Sequence, residues 1–377
     1  VGFAGLLRVT YVLGAKRGEE LLGDQIYYSY QAVMIANGRW FADPFVDGRF
    51  AADHAPLTAL LLAPVSWSDD NPFLAQRLLM AAYGVLVVVG IGLLARWLFG
   101  RRIALVAAAV AAIYANLWIN DGLLMSETFA AAGVVAVLLA VYVYDLRRST
   151  WSAVAIGVAL GLAGLARAEL LLLGPLVVVP LTLIVHDPTA WSTRLRHLAA
   201  AAGVCVLVLA PWVVRSQVRF EGTTVISTQD GLTLSGANCP DSYFGSGKGF
   251  WALQCTDLVV VPPDADQSER SALYRDYAFD FIAENRGEIP GVVAARLGRG
   301  LSVWDTNGTT WLNTGEGREK WASNIALWQY WILTPLAVWG WWRWPSRQPR
   351  WPALVTAALS VLVIAASSGS WVRSPMK

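Results

Sequence analysis

The chain has 377 residues, of which 56% are hydrophobic and 15% charged, and its formal net charge is +2. A water-soluble domain of this size has no interior large enough to hide so much apolar surface, so the composition excludes that class and requires a polytopic membrane protein. The small net charge gives no support for a nucleic-acid partner; in a membrane chain the side on which the charges lie carries the information.

The chain opens, without an initiator Met, on an apolar run from Val1 to Leu13 that is shorter than the roughly 20 residues needed to span a bilayer. It reads as the tail of a first span, and with the abrupt end after Ser367 it implies a natural protein that continues at both ends. A cleaved signal peptide is the rival reading, though the small-residue cleavage site it needs is not evident. A polar stretch follows, Gly23-Asp24-Gln25-Ile26-Tyr27-Tyr28. From Ile26 to Asn37 the pattern reads as an amphipathic helix with Ile26, Tyr30, Val33 and Met34 on one face. Asp is a favoured N-cap, so the local reading of Asp24 is a cap, which does not exclude a part in chemistry. Asp53-His54-Ala55-Pro56-Leu57 reads locally as a solvated loop end. The run from Leu57 to Trp67 suits an interfacial or re-entrant segment better than a crossing.

Apolar runs then occupy residues 74–99, 103–119, 129–144, 151–166, 170–186, 198–214, 325–342 and 353–366. With the clipped first run they predict about nine helices, with boundaries soft by a few residues. Arg101-Arg102, Arg147-Arg148, Arg194 with Arg196, and Arg343 with Arg347 and Arg350 fall in alternate loops, which the positive-inside rule assigns to the cytoplasm. The loop holding Asp24, the link from Asn120 to Thr128, the turn at Arg167 and the segment from Arg215 to Asn324 are then all outside. Trp321, Trp328, Trp339, Trp341, Trp342 and Trp344 mark the ends of one span, which Pro335 should bend. The chain thus divides into an N-terminal transmembrane bundle, 1–214, with a first outside loop at 14–56; an extracytoplasmic domain, 215–324; and C-terminal transmembrane helices, 325–377.

The outside segment reads as a small mixed α/β domain. The Thr223 to Thr233 region alternates like a strand and turn, and Asp266-Gln267-Ser268-Glu269 has capping-box spacing and opens a helix with Leu273, Tyr277, Phe281 and Ile282 on its apolar face. Pro290 suits the first turn of a second helix, with Val293, Leu297 and Leu301 on one side. Cys239 and Cys255 lie in the same segment; an exported compartment is oxidising, so they are expected to pair, a closure that contributes about 3 kcal/mol by chain entropy. Cys205, inside an apolar run, reads as a packing residue.

Among the charged residues, Glu127 in Leu123-Leu124-Met125-Ser126-Glu127 is hard to dismiss as solvated, because an ionised carboxylate near hydrocarbon costs a few kcal/mol. Arg167 and Glu169, in Gly164-Leu165-Ala166-Arg167-Ala168-Glu169, read equally as a local ion pair or as functional groups. Arg215 and Arg219 read as interface anchors. His186 and His197 fall on the cytoplasmic side, which leaves His54 as the one histidine near these groups and argues against a Ser-His-Asp hydrolase or a His-rich zinc site.

In their order and sidedness, the outside aspartate with its tyrosines, the acidic-basic element before Pro56, the Ser-Glu loop, the Gly-Leu-Ala-Arg-Ala-Glu turn and the later Ala210-Pro211-Trp212 with Arg215 resemble the GT-C superfamily of membrane glycosyltransferases. The likeness is to the bacterial protein mannosyltransferase and aminoarabinose transferase type, glycosyltransferase family 39. It implies a GT-C helical bundle in the cytoplasmic membrane, multi-pass, with its active site on the extracytoplasmic face. The implied reaction is hexosyl or pentosyl transfer from a polyprenyl-phosphate donor, with inversion, to a protein, lipid or cell-wall glycan. Asp24 maps onto the family's essential carboxylate and Glu127 onto its second acid. Asp53 and His54 map onto an acidic-basic pair, often Glu-Lys in relatives, near the carrier phosphate; Tyr27, Arg167, Glu169 and Arg373 complete the substrate-facing set. The resemblance certifies no cofactor and leaves a divalent metal open, with Asp24 and Asp53 as its holders, although Gln25 stands where many relatives carry a further acid. A transporter or lipid flippase is the rival, and would favour ionisable residues near the bilayer midplane and inverted repeats.

Overall fold

The computed structural model describes residues 1–67, 72–184, 190–344, 349–367 and 371–372, the stretch from residue 360 onward by its backbone alone. In chain order the helices are α1 (Gly2–Tyr11), α2 (Asp24–Ala36), α3 (Leu57–Leu62), α4 (Phe73–Phe99), α5 (Arg101–Ile113), α6 (Ala115–Trp118), α7 (Glu127–Arg147), α8 (Thr150–Ala166), α9 (Val179–Leu183), α10 (Trp191–Arg219), α11 (Gln229–Ala237), α12 (Pro240–Tyr243), α13 (Gln267–Glu284), α14 (Ile289–Gly300), α15 (Thr306–Gly315), α16 (Lys320–Trp342) and α17 (Trp351–Ser367). Two short strands, β1 (Trp251–Ala252) and β2 (Trp371–Val372), pair in parallel.

Among the described residues α4, α7 and α10 are each long and apolar enough to cross a membrane, and α5 with the segment 115–122, bent by 56°, is long and apolar enough for a broken span or a re-entrant loop. The protein is a multi-pass helical membrane protein. α8 and the run from Ala168 to Leu183 are shorter apolar helices packed into the bundle. A common core of Val137, Val141 and Tyr144 from α7, Ile156 and Leu160 from α8, and Ala201 and Cys205 from α10 joins them. Gly157 and Gly161 let α8 and α10 approach closely, since a Cβ at Gly157 would overlap the Ala201 carbonyl and one at Gly161 would press on Val208; small residues in this spacing are how helices pack when lipid is no less apolar than leucine. The break between α5 and α6 at Tyr114 strands two backbone groups, and the Gln329 amide of α16 meets both: Ala115 N–H donates to its Oε1 at 2.6 Å and its Nε2 donates to the Ile113 carbonyl at 3.0 Å.

Buried charges tie the helices to one another. Arg8 is buried in α1 and its Nε lies 2.6 Å from Asp121 Oδ2, while Thr128 donates to the other oxygen at 2.7 Å. Lys16 is fully buried between Glu19 and Glu319, at 2.6 Å from each, and also donates to the Gly317 carbonyl. Arg77 of α4 donates to the carbonyls of Lys16 and Glu19. These contacts fasten the turn between α15 and α16 to the segment between α1 and α2, because a buried charge must find partners close by.

Several local expectations change. The stretch expected to alternate as a strand near Thr223 to Thr233 bends and then forms α11, and residues 215–324, expected as a mixed α/β domain, hold helices and loops with β1 as their one strand among the described residues. The capping box at Asp266 is formed, but α13 buries Ser271, Tyr274 and Ala278 rather than the face through Leu273. α14 begins with Pro290 in its first turn and buries Val292, Ala295, Arg296 and Arg299, a face the apolar pattern did not mark. Cys239 and Cys255 form a disulfide, and Cys205 is buried. Arg347 and His186 lie outside the described residues.

Candidate active site

α2 starts at Gly23, whose φ of 59° suits glycine and whose position as N-cap leaves Asp24 as the first helical residue. The Asp24 side chain makes no capping hydrogen bond, so the cap expected from its residue type is absent and its carboxylate is available to the cavity. The face expected to bury is also reversed: Tyr30 is exposed, whereas Gln25, Tyr28, Ser29 and Ala32 are buried. The reason is tertiary. Gln25 donates to the Glu316 carbonyl at 3.0 Å and accepts from Leu124 N–H at 3.3 Å, and Ser29 donates to Gln76 of α4 at 2.7 Å, so the polar side of α2 meets polar partners in the protein.

Asp24 opens on a cavity of about 560 Å³ shared with Tyr28, His54, Ser126, Glu127, Arg167 and Glu169. His54 Nε2 lies 3.7 Å from Asp24 Oδ1, and its ring packs against those of Tyr27 and Tyr28, 4.8 and 4.9 Å away. Glu127 is the first residue of α7, with Ser126 as its N-cap but without a side-chain cap bond. Its Oε1 faces two guanidinium groups, Arg167 at 3.6 Å and Arg318 at 3.8 Å, and its Oε2 is buried with no hydrogen-bond partner among the described residues. Arg167, in the extended break after α8, also holds Glu169 at 2.6 Å, so the local pair and the cavity lining are one arrangement. Burial raises the Asp24 pKa above the ordinary carboxylate value; His54 opposes the rise and Glu127 adds to it.

Other expected residues stand elsewhere. Asp53 does not line the cavity: it accepts from Gln267 Nε2 at 2.8 Å, and the same nitrogen reaches Asp43 at 3.0 Å. Burial pushes the Asp53 pKa up to about 6, with His54 opposing and Asp43 reinforcing. Tyr27 is buried behind His54, and Tyr28 takes the lining place expected of it. Arg373 lies outside the described residues. Arg215 is no lipid anchor. It donates to the Ala51 and Phe41 carbonyls at 3.0 and 2.8 Å, inside a ring of Phe41, Phe50, Trp212 and Phe220, and so fastens the first loop to α10.

As a metal-holding pair Asp24 and Asp53 do not fit, since one faces the cavity and the other is bound to Gln267 outside it. Among the described residues no group of three or more His, Cys, Asp or Glu has the spacing to hold an ion.

Sequence reasoning missed the far wall. Ser227, Gln229, Thr233 and Trp251 line it, with Glu316 from the turn before α16. Two glycines set its position: a Cβ on Gly231 would overlap the Ser271 carbonyl of α13, and one on Gly236 would overlap the Trp251 indole. The mistaken strand reading hid α11, and no local pattern brings Arg318 to Glu127. The charged run Glu316-Gly317-Arg318-Glu319 before the last tryptophan-rich span was the available signal.

Residues 53–214 match the family model described as dolichyl-phosphate-mannose-protein mannosyltransferase. The crystal structure of ArnT from Cupriavidus metallidurans bound to undecaprenyl phosphate is similar, with a TM-score of 0.50 and 16% identity over 96% of this chain and 75% of that one. The archaeal oligosaccharyltransferase AglB from Archaeoglobus fulgidus, solved with an inhibitory peptide and a dolichol-phosphate, aligns at 0.45 and 13% identity, covering 100% of this chain and 56% of its own. No curated protein sequence matches. The chain has the GT-C membrane fold. The family match covers less than half of the chain and starts beyond Asp24.

Proposed function

We propose that the protein transfers a sugar from a polyprenyl-phosphate donor to an acceptor on the outer face of the cytoplasmic membrane, by direct displacement with inversion. The observation that carries this reading is the convergence of Asp24, His54, Glu127 and Arg167, from four separate stretches of chain, on one cavity. The family match and the fold point to the same class of reaction. The disulfide in the segment that supplies the far wall supports the outside location, since such bonds persist in oxidising compartments.

In this reaction Asp24 takes the proton from the acceptor hydroxyl as its oxygen bonds to the anomeric carbon of the donor. The bond from that carbon to the phosphate oxygen breaks, and the electron pair leaves with the lipid phosphate. A positioned carboxylate base supplies typically about 10² to 10⁴ in rate. The phosphate already leaves well, so Arg167, with His54 when protonated, stabilises the developing charge without a general acid. Glu127 orients the reacting groups through its unpartnered oxygen and keeps Arg167 in place. The sugar, hexose or pentose, and the acceptor remain for the assay to identify.

The test is reconstitution in lipid nanodiscs with undecaprenyl-phosphate sugars, following release of free undecaprenyl phosphate. Asp24→Asn is expected to lower turnover at least about 100-fold with donor binding retained; full turnover in that variant removes the base from the scheme. Movement of intact donor without cleavage of the sugar-phosphate bond would assign the fold to transport.

A further inference from the structure

The two walls of the cavity differ in kind. On one side the charged groups are committed to one another: Asp24 to His54, Arg167 to Glu127 and Glu169. On the other, the side chains of Ser227, Gln229 and Thr233 face the cavity and make no hydrogen bond within the protein among the described residues. These three carry no charge; the carboxylate of Asp230 in the same wall is held by Ser271 at 2.8 Å and Arg275 at 3.4 Å, that of Glu316 is held by Arg318, and the buried Trp251 donates its Nε1 to the Thr233 carbonyl at 3.1 Å. With both carboxylates already paired to arginines, this wall offers a ligand mainly neutral groups, and a ring bearing several hydroxyls finds both donors and acceptors there.

Resting on the reading above, we infer that the start of α11 is the sugar-selecting surface: Gln229 and Thr233, with Ser227 just before the helix, hydrogen-bond the ring hydroxyls of the donor sugar. Once the donor phosphate is held by Arg167, its anomeric carbon lies within the cavity and the attached ring extends across it. The cavity of about 560 Å³ is within the ordinary range of small-ligand sites, so a sugar ring held there meets the opposite wall. Gly231 and Gly236 give this wall a fixed position, by seating α11 on α13 and the Trp251 indole on α11. A wall set that firmly can discriminate, because a hydroxyl missing from the ligand leaves a protein group unpaired.

The experiment compares binding to full-length protein in nanodiscs, without acceptor, of bare undecaprenyl phosphate and of undecaprenyl phosphate carrying mannose, glucose, galactose or arabinose. Wild type is expected to bind at least one sugar-bearing lipid more tightly than the bare lipid. Gln229→Leu and Thr233→Val are each expected to weaken that sugar-bearing lipid by about 2- to 10-fold, the scale of one neutral hydrogen bond. Both should leave bare-lipid binding unchanged, which also reports that they fold. If both variants bind the sugar-bearing lipid as wild type does, or if wild type prefers none of the sugars over the bare lipid, the inference fails while the proposed reaction stands. If wild type binds neither kind of lipid, the proposed reaction falls and the inference with it.

Discussion

A carboxylate that acts as a base has to be ionised, and Asp24 is placed where burial resists that state and His54 favours it. The acid limb of activity should therefore lie above the ordinary carboxylate range. Removing the imidazole by His54→Gln should move it further up in pH, as read from a pH profile of kcat/KM; an unmoved limb would mean that the titrating group is another one. Asp53 gives a separate handle. Its folded pKa of about 6 exceeds the ordinary unfolded value near 3.9, so between the two the folded state binds more protons than the unfolded one. Its contribution is then fully present below the lower value and is lost as pH rises through about 6. Thermal melting should therefore show a component that falls from pH 4 to pH 7 in wild type and is absent in Asp53→Asn.

The elements show how far a one-dimensional reading reaches. The long apolar helices, the capping box at Asp266, the proline-led α14 and the cysteine pair are legible because hydrophobic runs, caps and compartment chemistry act locally. α2 misleads for a physical reason: inside a membrane protein the buried side of a helix can be its polar side, and Gln25 and Ser29 turn inward to find partners. α11 misleads because Ser-Thr-Gln-Asp-Gly-Leu-Thr alternates, and its helical state depends on packing against α13. At this scale the test is Gly231→Ala. Alanine favours a helix intrinsically, yet here its Cβ meets the backbone of α13 at Ser271, so the substitution should unseat α11. Loss of activity, together with faster proteolysis between residues 220 and 270, is expected; unchanged proteolysis and activity would show that the contact can relax.

Across the whole molecule, the apolar bundle and the helices from α11 to α15 are connected through side chains reaching into backbone. Arg49 donates to the Pro263 and Ala265 carbonyls at 2.6 and 3.1 Å, Gln267 accepts from Ala52 N–H at 2.7 Å, and Lys16 holds Gly317 and Glu319. Carboxylates from the first loop and from α7 therefore share a frame with Arg318 from the far end of the chain. No spacing rule reaches across such distances in sequence. Asp24, Glu127, His54, Arg167 and Glu169 enter the candidate set through resemblance and sidedness and line one cavity, whereas Arg318, Glu316 and the α11 wall come from long-range packing alone.

The amide of Gln329 gives this frame a point of failure far from any reacting atom. It pairs with both peptide groups left open at the break after Ile113; the Trp118 indole N–H also donates to the Ile113 carbonyl at 3.1 Å, so the Ala115 N–H is the group that depends on Gln329, and an unsatisfied peptide group in hydrocarbon costs several kcal/mol. Gln329→Leu should force a choice between a straightened crossing and a detached α16. Either result withdraws the turn carrying Arg318 from Glu127. Weakened membrane insertion or lost turnover in that variant, against near-normal behaviour in Gln329→Asn, would identify a lesion of allosteric kind at a residue that never meets the sugar.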